Sequence, residues 1–189
     1  MTTDKLPSAM AAAMFKGWDE YFLMVGSSAA ALIGLMFVVV TLTAGRDREE
    51  VERGKHLYTS PIVWALGVIM VLSGAALAPT LPPRLFAIGA GGLGLLGVAI
   101  GLRSAVGIAR RPGAADAAGF DMFWYGVAPA AAYTGLAISA FGILRGSAWA
   151  ESALGADLMA LLLVSIHAEW DLVTYLAPLS RSVDDPGEH

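Results

Sequence analysis

The chain alternates long apolar runs with short polar clusters, and the runs are too long for strands. This pattern predicts five hydrophobic helices, at about 21–44, 61–78, 85–108, 120–144 and 153–177. Runs of this order suit a hydrocarbon layer of ~30 Å at about 1.5 Å per residue. Punctuation between them is clear. Arg46–Glu50, Arg48–Glu52 and Glu49–Arg53 form i,i+4 pairs that extend the first helix into water before Gly54 breaks it. Ser60-Pro61 reads as a helix start, with Ser as cap and Pro in the first turn. Pro79, Pro82 and Pro83 force a turn, and Pro112-Gly113 makes another. Pro129 lies inside the fourth run and predicts a kink near Tyr125.

Residues 1–20 differ from the rest. Leu6, Met10, Ala13, Met14, Gly17, Trp18 and Tyr21 recur at helical spacing, against Ser8, Lys16, Asp19 and Glu20 on the other side. This predicts a short amphipathic helix lying in the headgroup region, with Trp18 and Tyr21 as interface anchors. A secretory signal is not expected, because Asp4, Asp19 and Glu20 outweigh Lys5 and Lys16. The bundle is expected to occupy 21–178 as one domain, and 179–189 to be a disordered polar tail.

Composition strengthens the membrane reading. Charged residues make up 15% of the chain, against roughly 25% in ordinary soluble domains, and mean hydropathy is +0.65. The fold class expected is therefore all-α, an integral membrane bundle of five transmembrane helices with an N-terminal interfacial helix. The absence of cysteine excludes disulfides, thiolate metal sites and thiol nucleophiles. A net charge of −4 gives no basic face for nucleic acid. Eight of the 12 Lys and Arg residues fall on the side of the 46–56 loop and the C-terminus. The positive-inside rule then predicts a cell (cytoplasmic) membrane protein with its N-terminus outside and its C-terminus inside.

Small residues recur at packing intervals: Gly26, Ala30 and Gly34 in the first run, Gly97 and Gly101 in the third, Ala131, Gly135 and Ser139 in the fourth. Such stripes let helices approach closely. They exceed what five helices should need internally, so the expected partners, besides lipid, are further copies of this chain or a larger membrane complex.

Charge inside an apolar helix costs ~2.5–3.5 kcal/mol on insertion scales and calls for a reason. The fifth run carries Asp157, His167, Glu169 and Asp171. Asp157 is close enough to the outer end to reach headgroups. His167 and Asp171 share a face, while Glu169 points to roughly the opposite side. Arg103 and Asp121 should lie at similar depth. The expectation is a polar cluster near the inner leaflet: Arg103, Asp121, His167, Glu169 and Asp171, edged by Tyr125 and Tyr175. It can serve structure, through charge neutralisation, or an ion or proton path, since histidine exchanges protons near neutral pH. His167 and Asp171 alone are too few ligands for a metal. No cofactor, metal site or catalytic residue is expected, and no nucleophile–base pair suggests an enzyme.

The run YFLMVGSSAAALIGLMFVVVTLTAG at 21–45, followed by an arginine-rich loop, and EWDL at 169–172 resemble a pattern in uncharacterised small multipass membrane proteins of bacteria. The resemblance implies a bacterial cytoplasmic membrane and nothing about activity. The function expected is a small channel or transporter-like protein, oligomeric, with the polar cluster on its path. The alternative is a non-catalytic subunit or regulator packed against a larger membrane complex.

Overall fold

The computed structural model describes residues 15–43, 60–109 and 122–176. All five apolar runs are helical: α1 (Asp19–Thr43), α2 (Ser60–Ala76), α3 (Pro83–Ala109), α4 (Ala128–Leu144) and α5 (Ala150–Leu176). There is no strand among the described residues. A π-helical turn, Phe123–Val127, leads directly into α4. It stands where a kink was expected. Pro129 has no N–H to offer the Tyr125 carbonyl, and the Ala128 N–H instead bonds back five residues to the Phe123 carbonyl.

The expected count of five spans is not reached by length. Four helices, α1, α3, α5 and the continuous Phe123–Leu144 segment, are long and apolar enough to cross a membrane. α2 has 17 residues, or about 25 Å at the usual rise. It ends at Ala76, three residues before Pro79, and the chain turns through 77–82. The proline cluster that marks the turn also shortens the helix.

α3 packs most extensively on α4, and α1 on α2. α5 joins the two pairs, touching α4, α2 and α1. Its buried positions Ala150, Leu154, Leu158, Leu161, Leu162, Ser165 and Ala168 form one helical stripe. Phe22 and Val25 of α1, Leu66 and Ile69 of α2 and Leu136 of α4 complete the core. The outward faces are also apolar: Phe37, Leu95, Ile138, Phe141 and Leu163 are all exposed. Water would penalise such a surface, whereas hydrocarbon would not.

The glycines of α3 serve one interface rather than several. Gly94, Gly97 and Gly101 face α4, and a Cβ on Gly97 would run into the Tyr133 ring. Gly26 meets Ser73 of α2, and Gly135 faces Asp157 of α5. Much of the close-packing capacity is thus spent within the chain. Ala30, Gly34 and Ala131 remain on the outside.

Residues 1–14, which hold most of the expected amphipathic helix, lie outside the described residues, as do 44–59 and 177–189. The chain turns at Phe15–Gly17, both with positive φ, and α1 begins afresh at Asp19. Phe15 is buried and packs edge-on against Phe22 and Phe86. Trp18 and Tyr21 are not free interface anchors. Both pack on Gly155, and the Tyr21 hydroxyl donates to the Gly155 carbonyl at 2.7 Å.

Candidate functional site

α5 presents its ionisable groups to two different neighbours. Toward α4 and the π-helical turn it presents Asp157, His167 and Asp171; toward α1 it presents Glu169.

On the α4 side, Ser139 Oγ donates to Asp157 Oδ2 at 2.6 Å, and Tyr125 OH donates to Asp171 Oδ2 at 2.8 Å. Tyr125 and Ser139 stand 14 residues apart on one arm of the helical hairpin, and Asp157 and Asp171 stand 14 apart on the other. Antiparallel helices in a heptad-like register place such positions opposite each other twice. Each carboxylate therefore meets a hydroxyl donor at its own depth, about 21 Å apart along α5. Gly135 makes the Ser139–Asp157 pair possible, because a Cβ there would overlap the Asp157 carboxylate. Asp157 consequently faces the bundle interior and does not reach for headgroups.

The Tyr125–Asp171 pair is part of a triad. His167 Nε2 lies 3.5 Å from the same Asp171 oxygen that accepts from Tyr125. One turn of helix sets that His–Asp spacing. The Trp124 ring lies 4.0 Å from the imidazole at an interplanar angle of 31° and fixes one of its faces. The π-helical turn directs both Trp124 and Tyr125 at α5. Trp64 of α2 also points inward, its indole nitrogen buried.

Between the two pairs lies a cavity of about 40 Å³ where α2, α3, α4 and α5 meet. Tyr125, Tyr133, Trp64, Ser104 and Ser165 contribute to its wall. Tyr133 is only 3% exposed, and its hydroxyl and the Trp64 indole N–H have no hydrogen-bond partner among the described residues. Ser165 satisfies itself on the Leu161 carbonyl at 2.8 Å. A cavity of this size accommodates about three waters, and two unpaired polar groups give them partners.

On the α1 side, Glu169 is 7% exposed and lines a second cavity of about 150 Å³. Leu32, Leu35, Met36, Ile166 and Val173 line it too, with Trp170 at the rim. Glu169 Oε1 has no hydrogen-bond partner among the described residues.

The predicted cluster is therefore split. His167 and Asp171 come together with Tyr125, Glu169 faces elsewhere, and Arg103 joins neither. Arg103 is exposed on α3, which packs on α4 and makes no extensive contact with α5. Asp121 and the Tyr175 side chain lie outside what the structure describes. No group of three or more His, Asp or Glu side chains suited to a metal occurs among the described residues. Tyr133, Trp64 and the Ser139–Asp157 pair were not anticipated as a set. The equal 14-residue intervals in the two runs were the available signal.

Compared with family models, with curated proteins and with solved structures, the chain has no match.

Proposed function

We propose that the protein is a small multipass membrane protein that conducts protons along the α4–α5 seam. The observation that carries this reading is the pair of hydroxyl–carboxylate hydrogen bonds repeated at the same register, with a small, largely apolar cavity between them to whose wall Tyr125, Tyr133 and Trp64 contribute. Ionisable groups inside a membrane bundle face partners or water and mark ion pathways more often than lipid-facing positions do. Here they define a line across the bundle rather than a single spot. In this reading Asp171 exchanges a proton with His167 on the cytoplasmic side, Tyr125 passes it to water in the cavity, and Asp157 with Ser139 receives it toward the outside. The positive-inside orientation, with the C-terminus in the cytoplasm of a bacterial cell, belongs to the same proposal. α2 would complete the wall as a fifth, short span.

The test is proton flux into liposomes holding the purified protein and a trapped pH-sensitive dye. Under an imposed potential, the reading expects acidification above empty vesicles, and expects Asp171→Asn and Tyr125→Phe each to slow it. Flux equal to that of empty vesicles would sink the proposal.

A second reading rests on a separate observation. Ser27, Ala30, Ala31 and Gly34 of α1 remain outward-facing after the chain has packed. A small-residue face of this kind suits a further helix, from another copy or from a larger complex. Native mass measurement in lipid tests it: a bare monomer removes it.

A further inference from the structure

The carboxyl of Glu169 has a setting unlike that of any other ionisable group among the described residues. It is buried between two helices, and among the described residues its Oε1 has no partner and no basic side chain lines its groove. A carboxylate held this way is costly unless a positive charge meets it. We propose that the α1–α5 groove binds a lipophilic monovalent organic cation, with Glu169 as counter-ion and Trp170 as aromatic wall.

Three features select this class of occupant. The groove supplies one carboxylate and otherwise apolar side chains, Leu32, Leu35, Met36, Ile166 and Val173 among them. An inorganic divalent ion demands several oxygen ligands and would remain undercoordinated. A weakly hydrated organic cation needs one counter-charge and apolar surroundings, which the groove provides. Trp170 borders the same groove and is 69% exposed, so its ring face is available to a cation. Finally, a cavity of about 150 Å³ accepts a benzene-sized group, so an aromatic or branched arm of the ligand can enter while the remainder stays in the lipid. Glu169 sits seven residues before the end of α5 at Leu176, about 10 Å along the helix, a depth that an amphiphilic cation reaches from the headgroup region.

The site is on the opposite face of α5 from the proposed proton path and does not depend on it. The probe is radiolabelled tetraphenylphosphonium, measured as equilibrium binding to the full chain in lipid nanodiscs. Saturable binding is expected in the wild type. Glu169→Gln should weaken it by about 30-fold or more, since a buried charge loses its partner. Trp170→Ala should weaken it by about fivefold. Thr134→Ala, on the exposed face of α4, should leave it unchanged. Should Glu169→Gln fail to fold, the wild type still gives an answer. Dicyclohexylcarbodiimide reacts with carboxyls in apolar surroundings, and tetraphenylphosphonium should slow its attachment to Glu169 as mapped by mass spectrometry. Absence of saturable binding to the wild type, equal binding by Glu169→Gln, or labelling of Glu169 that the cation does not slow would each overturn the proposal. Binding is read without a gradient. Its failure leaves the proton-path reading standing, and a null proton flux leaves this site standing.

Discussion

The two faces of α5 treat their carboxylates in opposite ways. Toward α4, Asp157 and Asp171 each accept a hydroxyl hydrogen bond, and Asp171 also has His167 beside it. Toward α1, Glu169 is buried, at 7% exposure, and its Oε1 is left without a donor among the described residues. In a medium without water, a satisfied carboxylate is compatible with both a structural and a relay role. An unsatisfied one stores an uncompensated cost inside the fold. The seam therefore contributes to holding the bundle, whereas the groove is kept at some expense to it.

The sharpest attack on the seam is steric. In Gly135→Val the new side chain overlaps the Asp157 carboxylate and drives it from Ser139. Overpacking of this kind costs ~1–3 kcal/mol. The loss of apparent melting temperature in nanodiscs should exceed that of any other variant discussed below. If Gly135→Val melts like the wild type, the tight Gly135–Asp157 contact is not part of the native packing.

A milder probe removes only the donor. Ser139→Ala leaves Asp157 in place with no hydroxyl to bond. Side-chain hydrogen bonds between membrane helices average ~0.6 kcal/mol and reach ~1.7. Ser139 is 1% exposed, so no water replaces the lost donor and the upper part of that range is expected. Thermal unfolding of Ser139→Ala, Asp157→Leu and the double variant forms a cycle. If the double change is no worse than Asp157→Leu alone, the bond is real; strict additivity would show that the two side chains act independently.

Tyr125→Phe is smaller again in its effect on stability, about 0.5 kcal/mol, because Asp171 is 38% exposed and keeps His167 as a neighbour. Its proton flux, in contrast, should fall well below that of the wild type. A variant that loses stability without losing flux would assign the triad to structure alone.

How much of this was legible in the sequence differs between backbone and site. All five helices were readable, because uninterrupted apolar runs bounded by proline, glycine and charge leave the backbone few alternatives in lipid. The opposite phases of His167/Asp171 and Glu169 were readable too, since helical periodicity alone fixes them. Arg103 was misplaced for a different reason. Depth in a membrane follows from position along a span, but neighbourhood depends on which helices pair. Gly94, Gly97 and Gly101 bind α3 to α4 and hold Arg103 away from α5. Asp157 was misread because its distance from the helix end suggested a headgroup contact, while the space that admits it is made by Gly135 on another helix. The length of α2 was overestimated because hydropathy continues past Ala76 after the helix has stopped.

The comparison is most exposed at Glu169, where the expected effect is the smallest and of opposite sign. Glu169→Met keeps the side-chain length, removes the carboxyl and offers the groove a flexible apolar filler. If Glu169 contributed to the fold as Asp157 does, this change would destabilise it. No partner among the described residues is lost, however, because Oε1 has none there, and an apolar replacement for an unpaired buried acid is neutral or stabilising. The melting temperature in nanodiscs should therefore stay level or rise by a degree or two, equivalent to under about 0.5 kcal/mol. The matching change on the other face, Asp157→Met, should lower it. A fall for Glu169→Met as large as that for Asp157→Met would mean that Glu169 is a structural acid with a partner after all, and the distinction between the two faces of α5 would collapse.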